Sequence, residues 1–364
     1  MPAYVETRTR VIALLAVVAT VATLLLRIAA SESLIVFVAS AVALAGLAAL
    51  VGEGTDQLGR RLGPRTTGIL QSALGNLPEL FIGLFALRAG LLEVVRAALI
   101  GSILANTLLV LGLAFIAGGL RHGAQRFGAD QTRLMSTLLV LAVAALAIPT
   151  IATAPGAPAF GHEEELSVFV SLILLVVFAA SVAYSIRSGP SAGPAVGTPE
   201  DPVAEAAAWP MRLAVGTLLV ASISAVFVSD WFVEALRPAM GSLGMSETFA
   251  GFVVVAIAGN AVENVAGVQA MLRDNGDLAI SVILNSSLQV ALALAPVLVI
   301  ASLFIGGATL SLVVSPVLVA ALALATMLAA LVVIDGESTW LEGLALVGLY
   351  LILAASLWWG TPIQ

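Results

Sequence analysis

Gly75-Asn76-Leu77-Pro78-Glu79 returns 184 residues later as Gly259-Asn260-Ala261-Val262-Glu263. Each phrase sets a carboxylate in an otherwise apolar stretch. A charged side chain at membrane depth costs roughly 2.5–3.5 kcal/mol on insertion scales. A chain that carries this cost twice, at matched positions, is expected to use both carboxylates.

The match extends beyond the phrase. Residues 75–112 laid on 259–296 without a gap agree at Gly75, Asn76, Glu79, Gly83, Ala86, Ser102, Leu104 and Leu108. Apolar composition explains the leucines. It does not explain a shared Asn, Glu and Ser. The Glu-to-Ser spacing is 23 residues in both copies, Glu79 to Ser102 and Glu263 to Ser286. Each copy also places an acid between its two helices, Glu93 and Asp277.

Composition sets the class. The 364 residues are 60% hydrophobic and 10% charged, with a mean hydropathy of +1.11. That is the signature of a polytopic membrane protein. Cysteine is absent, which removes disulfides, thiolate metal sites and cysteine nucleophiles. The two histidines, His122 and His162, lie in polar stretches, which weakens any histidine-based hydrolase. The net charge of −7 fits attraction of cations. All 15 basic residues are arginine. With the heavy use of Ala and Gly, this points to a GC-rich bacterial gene and the bacterial inner membrane.

Apolar segments of spanning length occur at about 11–30, 34–52, 67–88, 94–117, 133–152, 166–187, 211–230, 249–272, 278–303, 308–334 and 340–359. They predict an all-α protein with eleven transmembrane helices. The first segment follows Arg8 and Arg10, lacks a clear cleavage site and is long enough to span, so it reads as a helix and not as a signal peptide. With the N-terminus in the cytoplasm, eleven arginines fall inside and four outside, namely Arg27, Arg88, Arg96 and Arg237. The positive-inside rule then gives a cytoplasmic N-terminus and an external C-terminus.

The predicted organisation is an N-terminal helix (1–30), a first five-helix repeat (31–187), a cytoplasmic linker (188–210) and a second repeat (211–364). The linker is rich in Gly, Pro, Ser and Ala. The motif copies are displaced by five helices, an odd number, so they cross the membrane in opposite directions. Inverted repeats around polar, interrupted helices are common in secondary transporters.

On a helix, Asn76, Glu79, Gly83 and Ala86 share one face, as do Asn260, Glu263, Gly267 and Ala270. Each face offers an amide, a carboxylate and two small residues that permit close helix approach. A pseudo-two-fold axis brings Glu79 and Glu263 together. Paired carboxylates with amide and hydroxyl oxygens suit a hard divalent cation such as calcium. An empty site is expected to hold protons, so cation and proton compete there. The glycine before each asparagine, and Pro78, can interrupt the helix and turn carbonyls towards the site.

Ser102 and Asn106 in the fourth segment, with Asn285, Ser286, Ser287 and Gln289 in the ninth, add polar groups. Asn264, beside Glu263, is a further candidate ligand. Glu53 and Asp56 near the end of the second segment, and Asp230 and Glu234 near the end of the seventh, are candidates for collecting cations at the two entrances. Glu163 to Glu165 read as a solvated acidic loop, and Arg88 and Arg96 as interfacial anchors.

At this point the residues resemble a known family. GNLPELFIGLFALRAG with GSILANTLLVLG, and AGNAVENVAGVQAMLRDNGDLAISVILNSSLQVALALAP, resemble the two repeats of the calcium/proton exchanger branch of the calcium/cation antiporter superfamily. ALAGLAALVGEGTDQLGRRLG resembles its second-helix region. The resemblance covers residues 40 to 300. It implies a helix outside a five-plus-five inverted repeat, with Glu79 and Glu263 as alternating calcium and proton ligands and Asn76 and Asn260 beside them. It also implies that the second and seventh helices slide as gates. Many members carry His after the second glutamate, where this chain has Asn264.

The expected activity is exchange of calcium, or a related divalent cation, for protons. The competing readings are sodium-coupled exchange, an intramembrane enzyme with an acid–base pair, and a passive channel. The symmetric carboxylates without a zinc motif disfavour the enzyme. No cofactor is called for. The expected partners are the cation, protons and the lipid bilayer, not nucleic acid, and an oligomer is compatible.

Overall fold

The computed structural model of the chain describes residues 7–29, 33–62, 74–188, 209–305 and 307–359. Within these residues the protein is almost wholly helical. The helices are α1 (Thr7–Ile28), α2 (Ser33–Leu62), α3 (Leu77–Arg88), α4 (Leu92–His122), α5 (Ala129–Ala152), α6 (Glu163–Ser188) and α7 (Met211–Leu243). They continue as α8 (Glu247–Gly259), α9 (Ala261–Leu272), α10 (Gly276–Ile305), α11 (Pro316–Val333) and α12 (Trp340–Trp358).

Nine helices among the described residues are long and apolar enough to span a membrane, and α8 with α9, bent by 62° at their junction, makes ten when the pair is counted as one span. The predicted segment 67–88 is represented by α3, and its first half lies outside the described residues. Outward-facing Leu14, Val176 and Ile352 leave broad apolar surfaces for lipid.

Several predicted boundaries move. α2 runs ten residues past 52 and α7 thirteen past 230. The polar residues that end the hydropathy signal continue the helices beyond the apolar layer. Glu53, Asp56, Asp230 and Glu234 therefore stand within helices and not at their ends. The segment predicted to start at 308 becomes helical only at Pro316, which takes the first turn behind the cap Ser315.

The coil before Pro316 is buried at Leu310 and Leu312. Its backbone is satisfied by side chains: Leu310 N donates to Ser302 Oγ (2.9 Å), Leu312 N to Ser167 Oγ (2.9 Å) and Val314 N to Thr150 Oγ1 (3.0 Å). Irregular backbone at depth is stable only with such partners.

Helix starts and stops follow local chemistry. Ser246 caps α8 through Phe249 N, and Asn275 caps α10 through Leu278 N. Thr339 and Glu342 form a capping box at α12. α4, α8 and α10 each contain a π-helical turn, at Ala105–Val110, Ala250–Val255 and Val290–Leu294. Nothing in the hydropathy pattern announces them.

Contacts between connections form two rims. On one, His122 meets the Leu272 carbonyl, strand β1 (Gln125–Arg126) pairs antiparallel with β2 (Glu337–Ser338), Gly128 N donates to Asp277, and Gln57 accepts from Trp209 N. On the other, Arg27 bonds Glu234, Arg96 bonds Ser311, and Ser246 bonds the Leu357 carbonyl. Between the rims, α4 crosses α8 where Gly101 lies against the backbone of Phe252 and Gly251 against the carbonyl of Val94. A side chain at either glycine would hold the helices apart.

Candidate functional site

The motif breaks the helices where the sequence places it. Asn76 (φ −99°, ψ 24°) precedes α3, and Asn260 (φ −90°, ψ 18°) separates α8 from α9. Neither angle pair is that of a continuing helix. Helical bonding restarts behind each, Leu80 N to the Asn76 carbonyl and Asn264 N to the Asn260 carbonyl, both 3.0 Å. Glu79 and Glu263 therefore occupy the same place, the third residue of a helix that begins inside the protein. The positive end of a helix dipole favours an anion there. The pattern is that of half-helices meeting at a membrane-centre site.

Glu79 is 7% exposed, and neither of its carboxylate oxygens has a hydrogen-bond partner among the described residues. Glu263 is half-buried. Gly259 packs directly on Glu79: a Cβ there would lie 2.6 Å from Glu79 Cγ. The glycine of the second motif thus makes room for the glutamate of the first. Glu79 also borders a narrow, mostly apolar cleft between α3 and α4 that includes Ser102.

Ser102, Asn106, Asn260 and Ser286 form one buried network. Asn260 Nδ2 donates to Ser102 Oγ (2.9 Å) and to the Ala256 carbonyl (3.0 Å). Asn260 Oδ1 accepts from Asn106 Nδ2 (3.3 Å) and from Ser286 Oγ (3.3 Å). Asn106 Nδ2 also donates to Ser286 Oγ (2.9 Å). Separately, Asn76 Nδ2 donates to Gln289 Oε1 (3.1 Å).

Eight of the ten predicted site residues are thereby in place at the breaks or in these bonds, counting the two glutamates. Ser287 is different: its hydroxyl returns to the Ile283 carbonyl of its own helix (3.2 Å). Asn264 is half-buried, and its Oδ1 is buried without a hydrogen-bond partner among the described residues. Among the described residues no three His, Cys, Asp or Glu side chains cluster for metal binding.

The entrance candidates lie on α2 and α7. Glu53 accepts from Gln57 Nε2 (2.8 Å) on α2. Asp56 is half-buried on the same helix. Asp230 is exposed, and Glu234 forms a solvent-facing ion pair with Arg27. Arg96 is more than an interfacial anchor: its guanidinium bonds Ser311 O and Oγ as well as Glu93.

Broken helices that deliver paired carboxylates and amides to the middle of a helical membrane bundle define a secondary transporter for cations. Residues 32–187 and 213–359 match the sodium/calcium exchanger protein family, and the chain belongs to it. Among its relatives are the Ca(2+)/H(+) antiporter of Synechocystis sp., 36% identical over 88% of this chain and 89% of that one, and the Ca(2+)/H(+) antiporter ChaA of Bacillus subtilis, 34% identical over 88% and 91%. The solved structure of native YfkE superposes with a TM-score of 0.81 at 29% identity, covering 95% of this chain and 99% of that one. The H+/Ca2+ exchanger CAX shares the fold, with a TM-score of 0.76 at 17% identity over 96% and 92%.

Proposed function

We propose that this protein is a secondary antiporter that exchanges calcium, or a related divalent cation, for protons by alternating access. The carrying observation is Glu79, a buried carboxylate with neither oxygen hydrogen-bonded among the described residues, packed against Gly259 of the second motif. Relatives named Ca(2+)/H(+) antiporter, matched over most of their length, support the choice of ions.

In this reading Glu79 and Glu263 bind either the cation or protons, and the two loads exclude each other. Calcium needs six to eight oxygens, more than two carboxylates supply. Asn76, Asn106, Asn260, Asn264 and Gln289 are the amide candidates for the remaining oxygens, with Ser102, Ser286 and Ser287 as hydroxyl candidates. Glu53, Asp56, Asp230 and Glu234 serve as outer collecting points.

The same reading has eleven spans, with a helix at 1–30 and two inverted five-helix repeats, 31–187 and 211–364, joined at 188–210. Its support is the recurrence of helix starts: α3 and α9, and α4 and α10, each begin 184 residues apart. Positive-inside placement puts the N-terminus in the cytoplasm and the C-terminus outside the inner membrane.

The test is transport in sealed proteoliposomes with an imposed pH gradient and no sodium. Calcium uptake coupled to proton exit, abolished in Glu79→Gln and Glu263→Gln, is the expected result. Uptake that requires sodium would make this a sodium-coupled exchanger. Uptake without counter-transport would make it a channel, and undiminished exchange in either variant would remove the carboxylate from the site.

A further inference from the structure

The two motif asparagines are equivalent in sequence and unequal in bonding. Asn260 has all four of its hydrogen-bonding positions filled: two donors engaged with Ser102 and Ala256, two acceptor positions taken by Asn106 and Ser286. Its side-chain oxygen has nothing left for a cation. Asn76 uses an amide hydrogen on Gln289, and no donor among the described residues reaches its Oδ1.

One part of the difference is a residue without a counterpart. The position equivalent to Asn106 in the second repeat is Val290. Both are fully buried in π-helical turns. Val290 cannot donate a hydrogen bond, so only the second-repeat asparagine has a side chain across the interface to hold its carbonyl. Asn106 Oδ1 itself is buried without a hydrogen-bond partner among the described residues, a desolvation cost that a packed Val would not carry.

We propose that Asn106 is a positioning residue that withholds the side-chain carbonyl of Asn260 from the cation, leaving Asn76 as the motif asparagine that offers oxygen in this conformation. A cation that recruits Asn260 must first displace the Asn106 amide. Asn106 thereby weakens binding and speeds release. This inference rests on the exchange reading above and adds to it an asymmetry between the repeats.

The experiment compares Asn106→Val, Asn106→Thr and the parent protein for calcium uptake in proteoliposomes, with KM and kcat resolved. Asn106→Val installs the side chain of the equivalent position and opens one acceptor position on Asn260. One hydrogen bond of ordinary strength predicts about a fivefold fall in KM, with kcat falling as release slows. Asn106→Thr has the shape of Val with a donor restored, and its KM should lie between the two. An unchanged or raised KM in Asn106→Val overturns the inference, the raised value making Asn106 a ligand instead. A Thr variant equal to Val ties the effect to volume and also overturns it. Should Asn106→Val fail to fold, Ser286→Ala removes the other donor from the same oxygen and carries the same expectation. Loss of uptake in Glu79→Gln with an unmoved KM in Asn106→Val rejects this inference alone. Retained uptake in Glu79→Gln rejects the site itself.

Discussion

Gly259 is the residue at which the two motifs touch. The second-repeat glycine contacts the side chain of the first-repeat glutamate, and a Cβ there would sit 2.6 Å from Glu79 Cγ. Gly259→Ala must therefore shift the carboxylate. Displacement of a positioned group by an ångström can cost about a hundredfold in rate. We expect Gly259→Ala to fold and to lose at least about tenfold in calcium uptake per mole of protein. Gly348→Ala on α12, where a Cβ would meet nothing within 4 Å, should leave uptake unchanged. Normal uptake in Gly259→Ala would mean that Glu79 has room to move and does not need this seat.

At this scale the sequence was legible where chemistry is rare. A Glu in an apolar run stands out, and two at one spacing stand out more. The partners of Asn260 were not legible. An amide reads the same whether its oxygen is open or bonded, and only the fold brings Asn106 and Ser286 to it. The contact of Gly259 with Glu79 was equally hidden, because a glycine beside an asparagine already has a local explanation as a helix break.

Among the elements, the crossing of α4 over α8 governs the site. Asn260 reaches Ser102 because Gly101, one residue earlier, lies against the backbone of Phe252. Gly251 makes the reciprocal approach to Val94. Small residues at such crossings allow the close contact that holds membrane helices together. Gly101→Ala and Gly251→Ala each force backbone against a methyl group. Overpacking of this kind costs typically about 1–3 kcal/mol. Both variants should lower the thermal midpoint of the detergent-solubilised protein. Gly216→Ala on α7, which has open space at its Cβ, should not. Equal midpoints for all three would show that the crossing has slack.

The elements also show where hydropathy fails as a ruler. It marks the apolar layer, not the helix, so α2 and α7 outrun their predicted ends. It also assigned helix to the coil before Pro316, because Leu310 and Leu312 are as apolar as any helix residue. That coil is held by hydroxyls of Thr150, Ser167 and Ser302, each distant in sequence or on another element. The π turns leave no periodic trace, since a single extra residue per turn does not alter a pattern that is apolar on nearly every side.

For the whole molecule, the two rims turn a count of helices into a prediction of sides. The first rim gathers the connections around residues 57–61, 122–128, 272–277 and 335–338. The second gathers those around 27, 93–96, 246 and 311, with Glu234 and Leu357. An alternating eleven-span path from a cytoplasmic N-terminus puts every member of the first group inside and every member of the second outside. A miscount by one span would place bonded partners, such as Gly128 and Asp277, on opposite faces. The first rim carries Arg61, Arg121, Arg126 and Arg273, whereas the second carries Arg27, Arg88, Arg96 and Arg237. The wider count of eleven arginines to four predicts that the first group faces the cytoplasm. Because the chain has no cysteine, single cysteines can report it. Exposed Ala124 lies on the first rim, and exposed Ala154 lies at the end of α5 on the second. In intact cells, a membrane-impermeant maleimide should label Ala154→Cys and leave Ala124→Cys unlabelled until the membrane is opened. The reverse pattern would invert the protein, placing the N-terminus outside while keeping the rims. Labelling of both from outside would break the alternation, and with it the proposed inverted relation of the two motifs.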